Sequence, residues 1–189
     1  MEEILKSKLE EGEEILWTGC PESFETMDKT HKKFLTIRSC VHAAIGLALI
    51  LVLIITAKRA GAAPKPLLLG IVAIFCAYII AAPFLDANTI RKKVQYAVTN
   101  KRMIVYRDEL SSAYYADIEE GAFRTDEDGH VSFLCGPDAL KLASTKWRGA
   151  AVTPCRKDNE TGKCAFFAMY AIPGADKVKA IVAEYVKLQ

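Results

Sequence analysis

Three histidines, six cysteines and one short acidic run are the side chains of this 189-residue chain whose chemistry could serve a reaction or a metal ion. Acid–base and metal chemistry need such groups to converge, and in a sequence convergence first shows as ligand spacing. His31, His42 and His130 have no partner at that spacing. Asp126, Glu127 and Asp128 could hold a cation, but the further oxygen ligands of a calcium loop do not follow them. Acidic residues are favoured in turns on their own account, so a solvated turn is the preferred reading. The absence of a Cys-x-x-Cys pair argues against a zinc site. Cys40 and Cys76 fall in apolar runs, and Cys20 and Cys135 stand alone. Only Cys155 and Cys164 are near neighbours, with a turn signal between them that could set them face to face across a hairpin. In a cytoplasmic domain they would be reduced thiols, and a disulfide would argue for the opposite compartment. With no catalytic set, metal site or cofactor site to assemble, the chain is expected not to be an enzyme.

The elements that position these residues are dominated by two apolar runs. "SCVHAAIGLALILVLIITA" (Ser39 to Ala57) and "PLLLGIVAIFCAYIIAAPFL" (Pro66 to Leu85) carry no Asp, Glu, Lys or Arg. As helices each would cover roughly 30 Å, the thickness of a bilayer's hydrocarbon core. The Val, Leu and Ile residues of the first run are together worth about −3 to −6 kcal/mol near a membrane centre. A helix buried in a small soluble domain normally keeps one polar face, and neither run has one. Acid-rich sequence precedes the first run, which does not suit a cleavable signal peptide. Gly61, Pro64 and Pro66 break the helix between the runs, so the pair is expected to be a transmembrane hairpin over 39–85, with spans at about 39–57 and 66–85. Gly46, Ala48 and Gly70 are small enough to let its helices approach. His42 is the one readily ionisable group in either run; it reads as a proton relay or, preferably, as a neutral imidazole near the interface.

Lys29, Lys32, Lys33 and Arg38 precede the first run, and Arg91, Lys92, Lys93, Lys101 and Arg102 follow the second, against Lys58, Arg59 and Lys65 between them. The positive-inside rule then places both termini in the cytoplasm, with the inverted hairpin as the minority alternative. The expected localisation is the cell inner membrane, crossed twice.

Beyond Arg91 the pattern changes to sheet. "VQYAVT" and "RMIVYR" flank a turn at Asn100-Lys101, and "AFRTDEDGHVSFLCG" holds a second hairpin signal at Asp128-Gly129. "KCAFFAMYAI" is a third strand candidate. In "PGADKVKAIVAEYVKLQ", Val178, Ile181, Val182, Tyr185 and Val186 form a helical stripe. Residues 1–38 read as a cytoplasmic segment with a short helix around Ile4, Leu5 and Leu9 and a candidate edge strand at "EILWT". Trp17 is expected to pack on the domain in preference to resting at the membrane interface.

"YAVTNKRMIV" (Tyr96 to Val105), "YADIEEGAFR", "GHVSFLCG" and "FFAMYAIPGADKVKAIV", taken in this order after a hairpin, resemble the bacterial pleckstrin-homology-like domain family of the membrane-anchored type. "EEGEEILWTGCPE", Glu10 to Glu22, is similar to the segment that precedes the hairpin in such proteins. The resemblance implies an α+β membrane protein: a two-helix transmembrane hairpin and, over 91–189, a bent antiparallel sheet or barrel closed by a C-terminal helix. The stretch from Pro137 to Cys155 is longer and less patterned than that fold leads one to expect.

Arg91, Lys92, Lys93, Lys101 and Arg102 are the candidates for contacting lipid headgroups or a partner, each worth about 1 kcal/mol near an anionic surface. The competing reading is that they only set topology. Residues 91–189 lack the basic excess of a nucleic-acid binder. The expected function is a non-catalytic binding or scaffold module held at the cytoplasmic face. Its partners would be the bilayer and a membrane or membrane-proximal protein, or a second copy of itself. The alternative is a small regulatory or structural subunit of a transport or channel complex.

Overall fold

The structure, a computed structural model, describes Leu5 and residues 7–189. Asp28 accepts a hydrogen bond from the His31 N–H at 2.9 Å, so helix α1 (Lys29–Arg59) starts on its own side-chain cap. Lys58 and Arg59 fill its last turn, where the helix dipole favours cations. Gly61, at a φ of +67°, helps reverse the chain, and Pro66 opens α2 (Pro66–Lys93) in the first turn, where a missing N–H costs nothing. Pro83 lies inside α2 and leaves the Ile79 carbonyl without its helical donor. Arg38 of α1 supplies that donor, its Nη2 lying 3.4 Å from the Ile79 oxygen.

Both helices are long and apolar enough to cross a membrane. At 31 and 28 residues they measure about 46 and 42 Å, well beyond a hydrocarbon core of about 30 Å. Their apolar surfaces are not packed into the rest of the chain: Leu67 is 77% exposed and Ile74 73%. The two helices meet closely at Gly46, where an added Cβ would lie 2.8 Å from the Cys76 sulfur. Gly70, expected at the same contact, has open space beside it.

The remaining elements are two antiparallel sheets of four strands. The first has the order β1 (Ile15–Gly19), β2 (Gln95–Thr99), β3 (Arg102–Tyr106), β4 (Leu110–Tyr114). Within it Gly19 pairs with Tyr96 and Trp17 with Val98, so the whole helical hairpin is inserted between two neighbouring strands. The second sheet joins β5 (Gly121–Thr125), β6 (Val131–Cys135), β8 (Cys164–Met169) and the two-residue β7 (Arg156–Lys157) in the order β5-β6-β8-β7. Among the described residues the two sheets do not close into a barrel.

Alternation in β2 and β3 buries both faces of the first sheet. Tyr96, Val98, Met103 and Val105 enter the main core, while Ala97 and Ile104 on the other face are covered by Leu5. Ile4, one of the three apolar residues of the expected N-terminal helix, lies outside the described residues. Trp17 packs, half-buried, against the main core. Tyr96 ties the sheets together: its hydroxyl donates to the Tyr170 carbonyl at 2.8 Å and accepts the Tyr170 N–H at 3.0 Å.

The apolar stripe at the C-terminus is helical only over α5 (Ala175–Ala183), where Val178 and Val182 are fully buried. The chain then turns, the Tyr185 and Val186 N–H groups donating to the Val182 carbonyl, before Gly121 donates to the Lys187 carbonyl and accepts from the Gln189 N–H, so residues 187–189 lie against β5. The patternless stretch after β6 folds into two short helices, α3 (Pro137–Leu140) and α4 (Trp147–Ala151), and α4 buries Trp147, Arg148, Ala150 and Ala151.

Ala87 and Ile90, from the last two turns of α2, are completely buried in the same core as Phe133, Phe167 and Val178. The polar ends of the long helices therefore belong to the sheet domain, and a fragment starting at residue 91 would lose those two side chains together with β1.

Candidate functional site

Where the foot of the hairpin meets the domain, ionisable side chains from four segments converge. Asp28 supplies the centre. Its Oδ1 accepts the His31 N–H and lies 2.8 Å from His31 Nδ1, and its Oδ2 receives the guanidinium of Arg148 from α4. Arg148 also donates to the carbonyls of Thr26 and Glu25 at 2.9 Å each, and its guanidinium carbon stands 4.3 Å from the centre of the Phe24 ring. Tyr170, at the end of β8, donates from its hydroxyl to Asp126 Oδ2 at 3.0 Å. Burial pushes the Tyr170 phenol above its usual range, against the opposing pull of Arg148, so it stays a neutral donor.

Asp126, Glu127 and Asp128 lie on the turn anticipated for them, but only Glu127 is exposed as in a solvated turn. Asp126 is buried, and its Oδ1 accepts the N–H groups of Asp128 and His130. Asp128 reaches the start of α1, accepting the Lys29 N–H at 3.2 Å, the Thr30 N–H at 2.9 Å and the Thr30 hydroxyl at 2.8 Å. Burial alone would raise the Asp128 carboxyl, but these bonds outweigh it and hold the group below its ordinary value. Gly129 alone takes the positive φ, +89°, that the turn demands.

Asp28, Asp126 and His130 bring one ligand atom each within 4.8 Å of one another, the span of a cation site. The donors present account for them instead: Asp126 is taken by two backbone N–H groups and Tyr170, and Asp28 by His31 and Arg148. The guanidinium of Arg148 already supplies the positive charge that a metal would bring.

Beside this cluster is a cavity of about 170 Å³ between α1, α2 and α4, lined among others by His31, Arg38, Pro83, Asp86, Lys146 and Arg148. His31 is 2% exposed and Arg148 4%, yet His31 Nε2 and Arg148 Nε have no hydrogen-bond partner among the described residues. Arg38 and Lys146 form no ion pair among those residues, and Asp86 lies in the electrostatic field of Arg38 and Arg107.

The basic residues singled out in the sequence do not make one patch. Arg91 donates to the Thr26 hydroxyl at 3.0 Å, Lys92 is exposed, and Lys93 reaches Asp108 at the end of α2. Lys101 and Arg102 sit at the other end of β2, about 16 Å further along the strand. Arg102 is buried against Glu13, with Nε 2.8 Å from Oε1 and Nη2 2.9 Å from Oε2, and Lys101 donates to the Glu11 carbonyl. That pair fastens the N-terminal segment to the domain.

His42 places Nδ1 2.7 Å from the Arg38 carbonyl of its own helix, and no carboxylate or second histidine joins it among the described residues. Cys135 does not stand alone: its sulfur is 3.6 Å from that of Cys164, which is 3.9 Å from that of Cys155, and all three are free thiols. Sequence reasoning did not single out Asp28, Arg148 or Tyr170. Asp28 carried a signal, an Asp three residues before His31 at a helix start; Arg148 and Tyr170 carried none. In comparisons with known proteins, no family model, curated protein or solved structure matches this chain.

Proposed function

We propose that the chain is a membrane-anchored, non-catalytic binding module: a transmembrane hairpin that holds a pleckstrin-homology-like domain against the cytoplasmic face of a bacterial inner membrane. The observation that carries the reading is the shared core. Ala87 and Ile90 of a helix otherwise clothed in exposed apolar side chains are buried inside the sheet domain. Exposed apolar surface on that scale is unstable in water and at home in lipid. A domain fused to such helices through its own core is fixed in height and orientation over the bilayer. Confinement of this kind raises its effective concentration for partners on the same surface, so weak contacts suffice. Two antiparallel sheets followed by a helix whose Val178 and Val182 enter the core support the pleckstrin-homology-like assignment. The partner expected is a membrane or membrane-proximal protein, or a second copy of the chain.

The orientation is tested with a membrane-impermeant maleimide on intact cells. Cys20 is exposed outside the helices, and Ala62→Cys adds a thiol in the loop between them. The proposal expects Ala62→Cys to label in intact cells and Cys20 only after permeabilisation. The reverse pattern inverts the hairpin, and extraction of the full chain by alkaline carbonate without detergent removes the anchor altogether. Crosslinking in cells followed by purification then identifies the partner; proton flux in liposomes, abolished by His42→Ala, would instead make the chain a transport subunit.

A further inference from the structure

We propose that the cavity between α1, α2 and α4 is a binding site for the headgroup of one anionic phospholipid, its phosphodiester facing Arg38, Lys146 and Arg148 and a headgroup hydroxyl donating to His31. The inference rests on the reading that α1 and α2 lie in a bilayer, and it adds a ligand that the anchoring role does not require.

Arg38 is the residue immediately before the first apolar run, and Asp86 is the residue immediately after the second. Both line the cavity, so it lies at the level where hydrocarbon gives way to headgroups. Its volume of about 170 Å³ far exceeds the ~15 Å³ that one water needs, leaving room for a phosphate and its substituents.

The unmatched polar atoms then define the ligand. Arg148 Nε–H is a buried donor without an acceptor among the described residues, and such a group costs free energy until an acceptor arrives; Arg148 Nε and His31 Nε2 are both closed to water in this structure, so a headgroup reaches them as the cavity wall shifts to admit it. Arg38 has one arm on the Ile79 carbonyl, and Lys146 has no side-chain partner among the described residues. Arg148 is matched by Asp28, which leaves Arg38 and Lys146 facing one carboxylate, Asp86, and the lining net positive. Donors with a positive surplus select a phosphate oxygen.

His31 refines the choice. Asp28 accepts at Nδ1, which fixes the proton there and leaves Nε2 of the neutral ring as an acceptor. A choline headgroup has no hydrogen to offer that lone pair, whereas a glycerol headgroup offers a hydroxyl beside its phosphodiester. The chemistry therefore favours phosphatidylglycerol over phosphatidylcholine.

The test uses the full chain purified in detergent, with short-chain phosphatidylglycerol, short-chain phosphatidylcholine and inorganic phosphate as probes, read by thermal unfolding and by lipid retention in native mass spectrometry. Lys146→Glu changes an exposed lining cation with no other partner among the described residues, and Lys141→Glu changes an exposed lysine outside the cavity. Phosphatidylglycerol is expected to raise the unfolding temperature and phosphatidylcholine not to. Lys146→Glu should weaken phosphatidylglycerol retention at least about five-fold, the worth of one cation near an anionic surface, while Lys141→Glu matches the parent. Equal retention of the two lipids, or equal loss in both variants, would mean non-specific annular lipid and overturns the site. Equal stabilisation by inorganic phosphate would make the ligand a free anion and overturns the lipid assignment. A chain that stays soluble without detergent defeats the anchoring reading; a detergent-dependent chain with no headgroup preference defeats this inference alone.

Discussion

Asp128, on the turn between β5 and β6, accepts both the backbone N–H and the hydroxyl of Thr30 in the first turn of α1, at 2.9 and 2.8 Å. A helix start leaves N–H groups without partners, and here a distant segment of the domain satisfies them beside the helix's own cap, Asp28. The joint between the helical hairpin and the sheet domain is therefore made of directed bonds to a helix end, reinforced by the favourable meeting of a carboxylate with the positive end of the helix dipole.

Asp128→Ala should cost about 1 kcal/mol, the usual worth of a helix cap. Its distinctive effect is local. Hydrogen exchange at the Lys29 and Thr30 amides should accelerate more than exchange at the strand amides of β2 and β8, and a uniform acceleration would deny the cap its separate role.

Arg148→Met leaves Asp28 buried without its counter-charge, and loss of one partner of a buried pair costs about 3 to 5 kcal/mol. The double variant Asp28→Asn/Arg148→Met removes both charges and should recover a large part of that loss. Thermal unfolding in detergent compares the three proteins; a double variant no more stable than Arg148→Met would show that the arginine acts through its bonds to Thr26 and Glu25 instead.

Glu13 gives the N-terminal segment an acid-sensitive attachment. Burial tends to raise its carboxyl, but hydrogen bonds from Arg102, the Glu10 N–H and Thr99, with the charge of Arg102, leave it below its ordinary value. A carboxyl depressed in the folded state contributes stability that is fully present above the unfolded value of about 4.3 and is lost as pH falls through the folded value. The segment should therefore loosen only below about pH 4.5, and Glu13→Gln should be less stable at neutral pH with a flatter stability slope in acid. Proteolysis ahead of β1, followed against pH, reads the difference.

Gly136→Ala should prevent normal packing of the second sheet. The residue has a φ of +85°, and a Cβ there would stand 2.4 Å from the backbone carbonyl of Ala165, which cannot rotate away as a side-chain tip could. The expected readout is loss of the folded fraction on size exclusion, and a well-folded variant would contradict the β6–β8 geometry.

The three clustered thiols should resist alkylation. The hydrogen bond with Cys164, then burial, pushes the Cys155 thiol up, and the hydrogen bond with Cys135 contributes first to pushing Cys164 up to about 12. At neutral pH iodoacetamide should modify exposed Cys20 while Cys155 and Cys164 react only after unfolding. Prompt modification of Cys155 would show that its neighbours do not protect it.

The hairpin and the strands that follow it were readable in the amino-acid order because their signals are local. Uninterrupted apolar runs mark α1 and α2, alternation around Asn100-Lys101 marks β2 and β3, and the spacing of Val178 and Val182 marks α5. The end of that helix was misread because Val186 continues the spacing and enters the core, but from the turn that follows the helix and not from the helix itself. The junction had no local signal at all. Thr30 meets Asp128 across 98 residues of chain and Asp28 meets Arg148 across 120, and no periodicity reports such a meeting. The same distance in sequence misled the reading of Arg102, which looks like a surface cation at a turn until Glu13 is brought against it.

Sequence by itself determined that two helices with charge-free apolar stretches pair as a hairpin beside antiparallel strands, since those features follow from side-chain type at spacings of two to four residues. Tertiary structure alone decided that Ala87 and Ile90 of α2 enter the domain's core, that acidic turn residues cap a helix, and that His31, Arg38, Lys146 and Arg148 border one cavity. The reason is that burial and hydrogen-bond satisfaction are settled by which segments stand side by side after folding, and that adjacency is a property of the whole chain.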